Sequence, residues 1–407
     1  MFSRVLSRPQ PSVATDTLAN RVMFGYQGWF LCPGDGSDVG GWHHWFRDNA
    51  ASADKLTVDM WPDASELGLN EKYATDMVLP SGAPAELFSS YNEKTVDRHF
   101  QWMKEHGIDG VFLQRFVTAL DGKEYFCFRN KVTQNVVMGA EKHGRVFALM
   151  YDISGSIGFR DTIKNDWMFL VDVLKITESP NYLRHRGRPV VAIWGLGFNH
   201  VNQTPTWAKE LIDWFHSGAS SHCQATVMGG VPTYWRTLTN DSRPDAEYAD
   251  VYRSFDVISP WTVGRYRDNV GADLHRLSLT APDLAYTSAY GIDYMPVIWP
   301  GFSWHNLQRG TSPLNDIPRR GGEFYWRQAY NAISAGAKML YVAMFDECDE
   351  GTAMFKLACG QADLPVGAQL VPLDIEGHGV PSDWYLQLGG KTGKMLRGEI
   401  PLSRDLP

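Results

Sequence analysis

Residues Met339-Leu-Tyr-Val-Ala-Met-Phe345 form an uninterrupted apolar run, and Asp346-Glu-Cys-Asp-Glu350 follows it directly. A short apolar run with aromatic and β-branched members is typical of a strand that is covered on both faces. In a barrel of parallel strands, functional residues lie where the strands end. This stretch therefore predicts a buried parallel strand and places four carboxylates within five residues at its carboxyl end.

Seven further apolar segments share the character of this run. Their limits are 21–26, 110–115, 145–151, 189–194, 224–228, 256–260 and 293–299. Helical periodicity lies between them, as in the segment where Val96, Phe100 and Met103 share one face and Gly107 ends the helix. Strands that alternate with helices indicate a parallel sheet, and eight such units predict a (β/α)₈ TIM barrel of the α/β class.

The chain divides around this predicted barrel. Residues 1–20 are an N-terminal extension, 21–356 the catalytic barrel, and 357–407 the last helix and a tail packed on it. The first two strands are too far apart for a single crossover, and a Gly- and Trp-rich insertion, 28–91, fills the gap. Because the insertion leaves the carboxyl end of the first strand, we expect it on the catalytic face.

Composition restricts the partners. The chain has 38 Lys and Arg against 46 Asp and Glu, a net charge of −8, and no basic run. Nucleic acid and anionic membranes attract concentrated positive charge, so neither is an expected partner, and no apolar run has transmembrane length. A neutral substrate fits better, and aromatic side chains, 13% of the residues, include rings on which sugars can pack. We expect a monomer or a weak homo-oligomer, and no cofactor.

The cysteines and the start of the chain bear on its location. Five cysteines lack the spacing of a metal or redox pair, which favours free thiols and a reducing compartment. Residues 1–17 contain two arginines but no apolar segment of a secretory signal. The sequence as written predicts a cytoplasmic protein, and a secreted one if a leader has been removed.

The strand ends supply the candidate site residues. Glu347 and Glu350 are the catalytic candidates. The binding candidates are polar or aromatic: Tyr26, Trp29, His44, Gln114, Asp152, Trp194, Trp299, Trp304 and Asp346. Each tryptophan taken singly is more often a core residue than a sugar platform, but several at strand ends favour at least two platforms. Arg115 would bind an acidic sugar or, more commonly, hold a carboxylate in place.

The carboxylate cluster has a chemical interpretation. Crowded carboxylates repel one another, so the pKa of some of them rises. A carboxyl group with a raised pKa can act as a general acid beside an ionised base, and glycoside hydrolysis needs such a pair. A solvated loop or helix start and a site for a hard cation stay open as alternatives. No G-x-S-x-G, Walker A or H-E-x-x-H motif supports another chemistry.

Two other candidates also keep two interpretations. His43 and His44 are neighbours whose side chains point in different directions, so we favour hydrogen bonding to substrate or a structural role over metal binding. Asp152 follows a predicted strand, where a site residue and a capping carboxylate are equally expected.

Three stretches resemble the barrels of glycoside hydrolase families 71 and 99, the group of endo-α-mannosidases and fungal α-1,3-glucanases. They are Val22-Met-Phe-Gly-Tyr-Gln-Gly-Trp-Phe30, Asp97-Arg-His-Phe-Gln-Trp-Met-Lys-Glu-His-Gly-Ile-Asp-Gly-Val111, and Pro296-Val-Ile-Trp-Pro-Gly-Phe302 together with 341–352. Residues 381–385 and 395–398 are similar to the group as well, so the resemblance spans almost the whole chain.

The resemblance implies roles for the two glutamates. Strand 8 of the mannosidase branch ends in Asn-Glu-Trp-His-Glu-Gly-Thr, where this chain has Asp346-Glu-Cys-Asp-Glu-Gly-Thr352. By similarity, Glu350 is the acid/base at the glycosidic oxygen. Glu347 is then the base that activates the neighbouring sugar 2-hydroxyl, which gives retention through an anhydrosugar. Three positions of the motif differ, and the added carboxylate would suit an amino-bearing substrate or another stereochemistry.

We therefore expect a glycoside hydrolase that cleaves a poly- or oligosaccharide. One alternative is a glycan-binding barrel that has lost catalysis, which would not need the two glutamates that are present here. Another is a transglycosylase or lyase on the same scaffold.

Overall fold

The computed structural model describes residues 13–407. Most of the predicted N-terminal extension, residues 1–12, lies outside the described residues. The strands in the described range are β1 (Val22–Tyr26), β2 (Tyr73–Val78), β3 (Pro84–Leu87), β4 (Gly110–Phe116), β5 (Val146–Asp152), β6 (Arg184–His185), β7 (Arg188–Trp194), β8 (Thr226–Val231), β9 (Val257–Pro260), β10 (Asp293–Tyr294), β11 (Val297–Ile298) and β12 (Leu340–Val342). The α-helices are α1 (Glu93–His106), α2 (Lys123–His143), α3 (Phe159–Asp172), α4 (Pro205–Asp213), α5 (Tyr248–Arg253), α6 (Asn269–His275), α7 (Ala281–Ala289), α8 (Glu323–Ser334) and α9 (Trp384–Leu396).

One parallel sheet closes into a barrel. Its strand order is β10-β9-β8-β7-β5-β4-β1-β12-β11, and β10 and β11 are two parts of one strand that breaks at Met295 and Pro296. Across the break, the Met295 N–H donates to the Ile258 carbonyl at 2.8 Å, and the Tyr341 N–H donates to the Pro296 carbonyl at 3.1 Å. With this strand bonded on both sides, the predicted (β/α)₈ barrel is confirmed.

Continuous apolar sequence explains why the barrel strands are buried on both faces. In β7, the run from Val190 to Ile193 is entirely inaccessible to solvent, as expected for a parallel strand between a packed interior and an outer layer of helices. The neighbouring strands approach closely at Gly110, where an added Cβ would lie 1.9 Å from the Val146 carbonyl oxygen. That approach leaves room only for glycine at the start of β4.

The predicted strands match the observed ones closely, apart from the break in the run 293–299 and larger shifts at the ends of two other strands. The fifth strand begins at Thr226 rather than at residue 224, and β12 ends at Val342 rather than at residue 345. Beyond β12 the chain still bonds to the barrel, because the Ala343 N–H donates to the Ile298 carbonyl and the Phe345 N–H to the Gly25 carbonyl. The carboxylates of 346–350 are thereby fixed at the rim.

The insertion 28–91 lies over the carboxyl ends of the strands. The N–H groups of Asp59 and Met60 donate to the Cys348 carbonyl at 3.0 and 3.3 Å. The Asp59 side chain accepts from the backbone N–H groups of His305 and Asn306 at 2.6 and 2.8 Å. These contacts join the insertion to the loops that follow β11 and β12. The predicted domain limits themselves stay a prediction.

The C-terminal helix α9 covers the barrel beside α1. Gly390 lies against the end of α1, where an added Cβ would be 1.8 Å from the His106 carbonyl oxygen, and Gly389 packs on the Phe24 ring. Among the helices of residues 13–407, none has the length and apolar character needed to cross a bilayer.

Candidate active site

A cavity of about 250 Å³ opens at the carboxyl ends of the barrel strands. Its lining consists of Gln27, Trp29, Gln114, Phe116, Met150, Asp152, Ser154, Trp194, Trp261, Met344, Glu347 and Glu350. These residues come from the ends of β1, β4, β5, β7, β9 and β12, so the closed barrel brings together side chains that are distant in sequence. Larger cavities, of about 450, 550 and 710 Å³, lie elsewhere and contain neither glutamate.

Glu347 is held in one orientation by two donors. It is 4% exposed. Its Oε1 accepts a hydrogen bond from the Gln27 side-chain amide, and its Oε2 accepts from the Thr352 hydroxyl at 2.5 Å. Burial raises the pKa of Glu347 well above its usual range, and the charges of Glu350 and Asp349 raise it further.

Glu350 lies in the same cavity but is not held by hydrogen bonds. Within the described part of the chain, no donor reaches its carboxyl group, and its side chain is partly accessible. Burial, followed by the charges of Asp349 and Asp152, raises the pKa of Glu350 to about 7. A carboxyl group with this pKa can both donate and accept a proton near neutral pH.

Asp152 adds a third carboxyl group to the cavity from the end of β5. Its Oδ1 accepts from the Ser154 N–H at 2.7 Å. Burial raises the pKa of Asp152 to about 6. The side chain caps its own loop and also lines the cavity, and its role as a binding residue stays a prediction.

Asp346 and Arg129 fix the loop that carries Gln27. The two Asp346 oxygens accept from the backbone N–H groups of Gln27 and Gly28 at 2.7 and 2.9 Å. The Arg129 guanidinium donates to the carbonyls of the same two residues at 3.0 and 3.2 Å. Burial raises the pKa of Asp346 to about 7 and lowers that of Arg129 to about 9. Asp346 thus binds the N–H groups of Gln27 and Gly28, and Arg129 binds their carbonyl groups.

Asp349 forms a polar pair behind the cavity. Its Oδ2 accepts from His44 Nδ1 at 3.1 Å, and the His44 ring stacks on Trp29 with centroids 4.0 Å apart. Oδ1 of Asp349 is buried without a hydrogen-bond partner among the described residues. The pair therefore places Trp29 and adds a negative charge close to both glutamates.

Aromatic rings form much of the cavity wall. Trp29 stacks on Phe116 at 5.2 Å, and Trp194 meets Trp261 edge to face at 5.7 Å. All four rings are partly accessible, as a surface that packs on a ligand requires. The indole N–H groups of Trp29 and Trp194 have no partner within residues 13–407.

The binding candidates predicted from the sequence fall into three groups. Trp29, Gln114, Asp152 and Trp194 line the cavity together with both glutamates. His44 and Asp346 lie behind it and hold lining residues in place. Three aromatic candidates point elsewhere: Tyr26 bonds to His99 under α1, Trp299 packs on Phe324 of α8, and Trp304 packs on Phe302.

Several lining residues are absent from the predicted binding set: Gln27, Phe116, Met150, Ser154, Trp261 and Met344. Gln27, Phe116 and Trp261 lie within one residue of a strand end, which is a signal that the sequence offers. The two methionines carry no such signal, because methionine is ordinarily a core residue.

Arg115 does not face the cavity. Its guanidinium forms two hydrogen bonds to Asp166, at 2.6 and 2.5 Å, and is 1% exposed. It therefore holds a carboxylate in place, the commoner of its two predicted roles. Among residues 13–407, the side chains that could together hold a metal ion are Asp172, His222 and Cys223, whose ligand atoms lie within 4.8 Å of one another, away from this cavity.

Solved structures share this architecture, although no family model and no curated protein matches the sequence. The endo-α-mannosidase of glycoside hydrolase family 99 from Bacteroides thetaiotaomicron superimposes with a TM-score of 0.65 at 15% identity, covering 94% of this chain and 99% of that one. The chain shares the fold of that barrel. The complex of the mannosidase with bis-tris propane matches with a TM-score of 0.66 at 16% identity, again over 94% and 99%.

A structure described as a glycoside hydrolase-like protein matches with a TM-score of 0.53 at 15% identity, covering 80% of this chain and 91% of that one. At such identities the likeness establishes the fold. The family 99 part of the sequence resemblance is thereby confirmed for the barrel, and its family 71 part stays a prediction.

Proposed function

We propose that this chain is a glycoside hydrolase that cleaves a poly- or oligosaccharide in the aromatic-walled cavity. The observation that carries the proposal is the presence of Glu347 and Glu350 in one cavity, since glycoside hydrolysis requires two carboxyl groups that face the same bond. The family 99 fold of the barrel and the matching Glu-x-x-Glu spacing support it.

The surroundings of each glutamate suit a different role. Glu350 is not engaged by a donor within the described residues, and a pKa of about 7 lets it carry a proton to the departing glycosidic oxygen. Glu347 is fixed by Gln27 and Thr352, and their hydrogen bonds partly offset the larger effect of burial, which raises its pKa and so makes it a stronger base once ionised. In the proposed reaction Glu347 takes the proton of the sugar 2-hydroxyl as that oxygen bonds to the anomeric carbon, and Glu350 protonates the departing glycosidic oxygen. Glu350 then takes a proton from water, which opens the anhydrosugar at the anomeric carbon, and Glu347 returns a proton to the 2-oxygen, so the configuration is retained.

The rest of the cavity supports this chemistry. The rings of Trp29, Phe116, Trp194 and Trp261 give flat apolar faces that pack on sugar C–H groups. The volume lies slightly below the range of about 300–1,000 Å³ that is usual for small-molecule pockets. It therefore accepts one end or a short part of a glycan.

Release of reducing ends from a panel of oligosaccharides, with α-mannosides first, tests the proposal. Glu347→Gln and Glu350→Gln should each reduce kcat/KM by about 10²–10⁴-fold, because each removes one proton-transfer group while keeping size and shape. Glu323→Gln, on the exposed start of α8, is the matched control and should keep full activity. Full activity of both folded site variants would refute the assignment, and glycan binding without any product would favour the catalytically inactive barrel.

A further inference from the structure

The charged residues that line the cavity all have the same sign. They are Asp152, Glu347 and Glu350, and the described lining contains no lysine, arginine or histidine. Asp152 stands at the end of β5 and Glu350 follows β12, so two chain segments that meet only through barrel closure face each other with like charges. Their mutual repulsion contributes to the raised pKa of Glu350. The cavity thus concentrates carboxyl groups at its polar side, and a cation bound there would favour their ionised forms.

The nearest cations do not compensate this charge. The Arg115 guanidinium is engaged by Asp166 on the far side of β4. Arg129 donates to the carbonyls of Gln27 and Gly28 and does not line the cavity. His44 pairs with Asp349, behind Trp29. Among the residues that the structure describes around the site, both guanidinium groups and the His44 ring are therefore directed to other partners.

The hydrogen-bonding groups of the cavity are mainly acceptors. Gln27 Oε1 is buried without a partner among residues 13–407, the Glu350 carboxyl receives no hydrogen bond from them, and Asp152 accepts through one oxygen only. The donors of the lining include the indole N–H groups of Trp29 and Trp194, which have no partner among these residues, the Trp261 indole and the Ser154 hydroxyl. Because the oxygens of Glu350, Asp152 and Gln27 lie together in this lining, a ligand rich in donors suits it. An ammonium group brings three donors and no acceptor, whereas a hydroxyl brings one donor.

We propose that the glycan bound in this cavity carries a free amino group, placed between Asp152 and Glu350, so that the substrate class is one containing unsubstituted hexosamine. The aromatic walls suit such a group, because ring faces attract cations at short range. A carboxylated sugar would be repelled, and an N-acetylated sugar would lose the charge and two of the donors. The inference rests on the proposed function for the bond that is cleaved, but the binding of the amine can be measured alone.

Binding of monosaccharides to the whole protein, measured by calorimetry at pH 7.5, tests this inference. The probes are glucosamine, mannosamine and galactosamine, each against its N-acetyl form and the parent hexose. At least one amine should bind about ten- to a hundredfold more tightly than both of its partners, as expected for a charge-assisted hydrogen bond. Equal or weaker binding of all three amines would overturn the inference.

Two variants test whether the preference for the amine depends on Asp152. Asp152→Asn should reduce the preference for the amine to near parity, and the new side chain can still accept from the Ser154 N–H, so the loop keeps its cap. Asp161→Asn, on the exposed face of α3, is the control and should keep the preference. An unchanged preference in folded Asp152→Asn would place the amine elsewhere and contradict the proposal.

The outcomes separate this inference from the hydrolase itself. Cleavage of neutral glycans with no preference for amines would overturn the inference of an amino-bearing substrate. The proposed glycoside hydrolase activity would still stand. Tight binding of an amine with no cleavage of any glycan, amino-bearing or neutral, would support the amine site. It would overturn the proposed glycoside hydrolase activity.

Discussion

Asp346 has a different task from the two glutamates that follow it. Both of its oxygens accept backbone N–H groups of the loop after β1, and that loop carries Gln27, which donates to Glu347. The side chain is fully buried and lies outside the cavity lining. Its effect on a substrate is therefore indirect, through the position of Gln27 and hence of the Glu347 carboxylate.

Replacing Asp346 by Asn should lower both stability and activity. One of the two backbone N–H groups then faces an amide NH₂ instead of an acceptor, and an unsatisfied buried donor costs about 1–3 kcal/mol in the free energy of unfolding. Denaturant unfolding and kcat on the same preparation measure the two effects.

Asp35→Asn provides the matched control for that variant. Asp35 also accepts two backbone N–H groups, from Cys32 at 3.1 Å and Ser37 at 2.8 Å, but lies in the insertion outside the cavity lining. It should lose stability and keep kcat. Equal loss of kcat in both variants would show that Asp346 acts through global stability and does not position the site.

At the scale of elements, the outer helices depend on close contacts that only glycine permits. In α9, Gly390 packs against the backbone carbonyl of His106, whereas Gly393 meets only the far end of the Arg397 side chain, 3.1 Å from an added Cβ. The same substitution therefore has opposite consequences three residues apart on one helix.

Gly390→Ala should destabilise the protein by about 1–3 kcal/mol, because the added methyl group forces α9 away from α1. Gly393→Ala should be neutral or stabilising by up to about 1 kcal/mol, since alanine is the better helix former and the arginine can move. Chemical denaturation of both variants measures the difference. If the two variants unfold alike, α9 does not dock as described.

At the scale of the whole molecule, the barrel could be predicted because burial on both faces leaves long apolar runs in the sequence. The runs at 110–115 and 189–194 needed only small corrections at their ends. The break at Pro296 was not predicted, because the apolar run 293–299 continues through it although proline has no N–H for the ladder.

The composition of the cavity was harder to predict than the fold. Successive side chains on a strand point to opposite sides, so Tyr26 turns outward to His99 while Gln27 turns into the cavity. Sequence places both at the end of β1 but does not fix which of them faces inward. Trp299 follows the break in its strand and packs outward on Phe324, which strand-end position alone did not reveal.

The central claim is that Glu347 and Glu350 form one buried, interacting pair of carboxyl groups. Titration of the glutamate side-chain carboxyls by ¹³C NMR, in wild type and in Glu350→Gln, tests it directly and without a known substrate. Two glutamates of the wild type should titrate well above the usual pKa of about 4.3, Glu350 at about 7. In Glu350→Gln, the pKa of Glu347 should fall but stay raised, because one repelling charge is gone while burial remains. Titration of both glutamates at ordinary values, or a Glu347 pKa unchanged by the substitution, would contradict the claim.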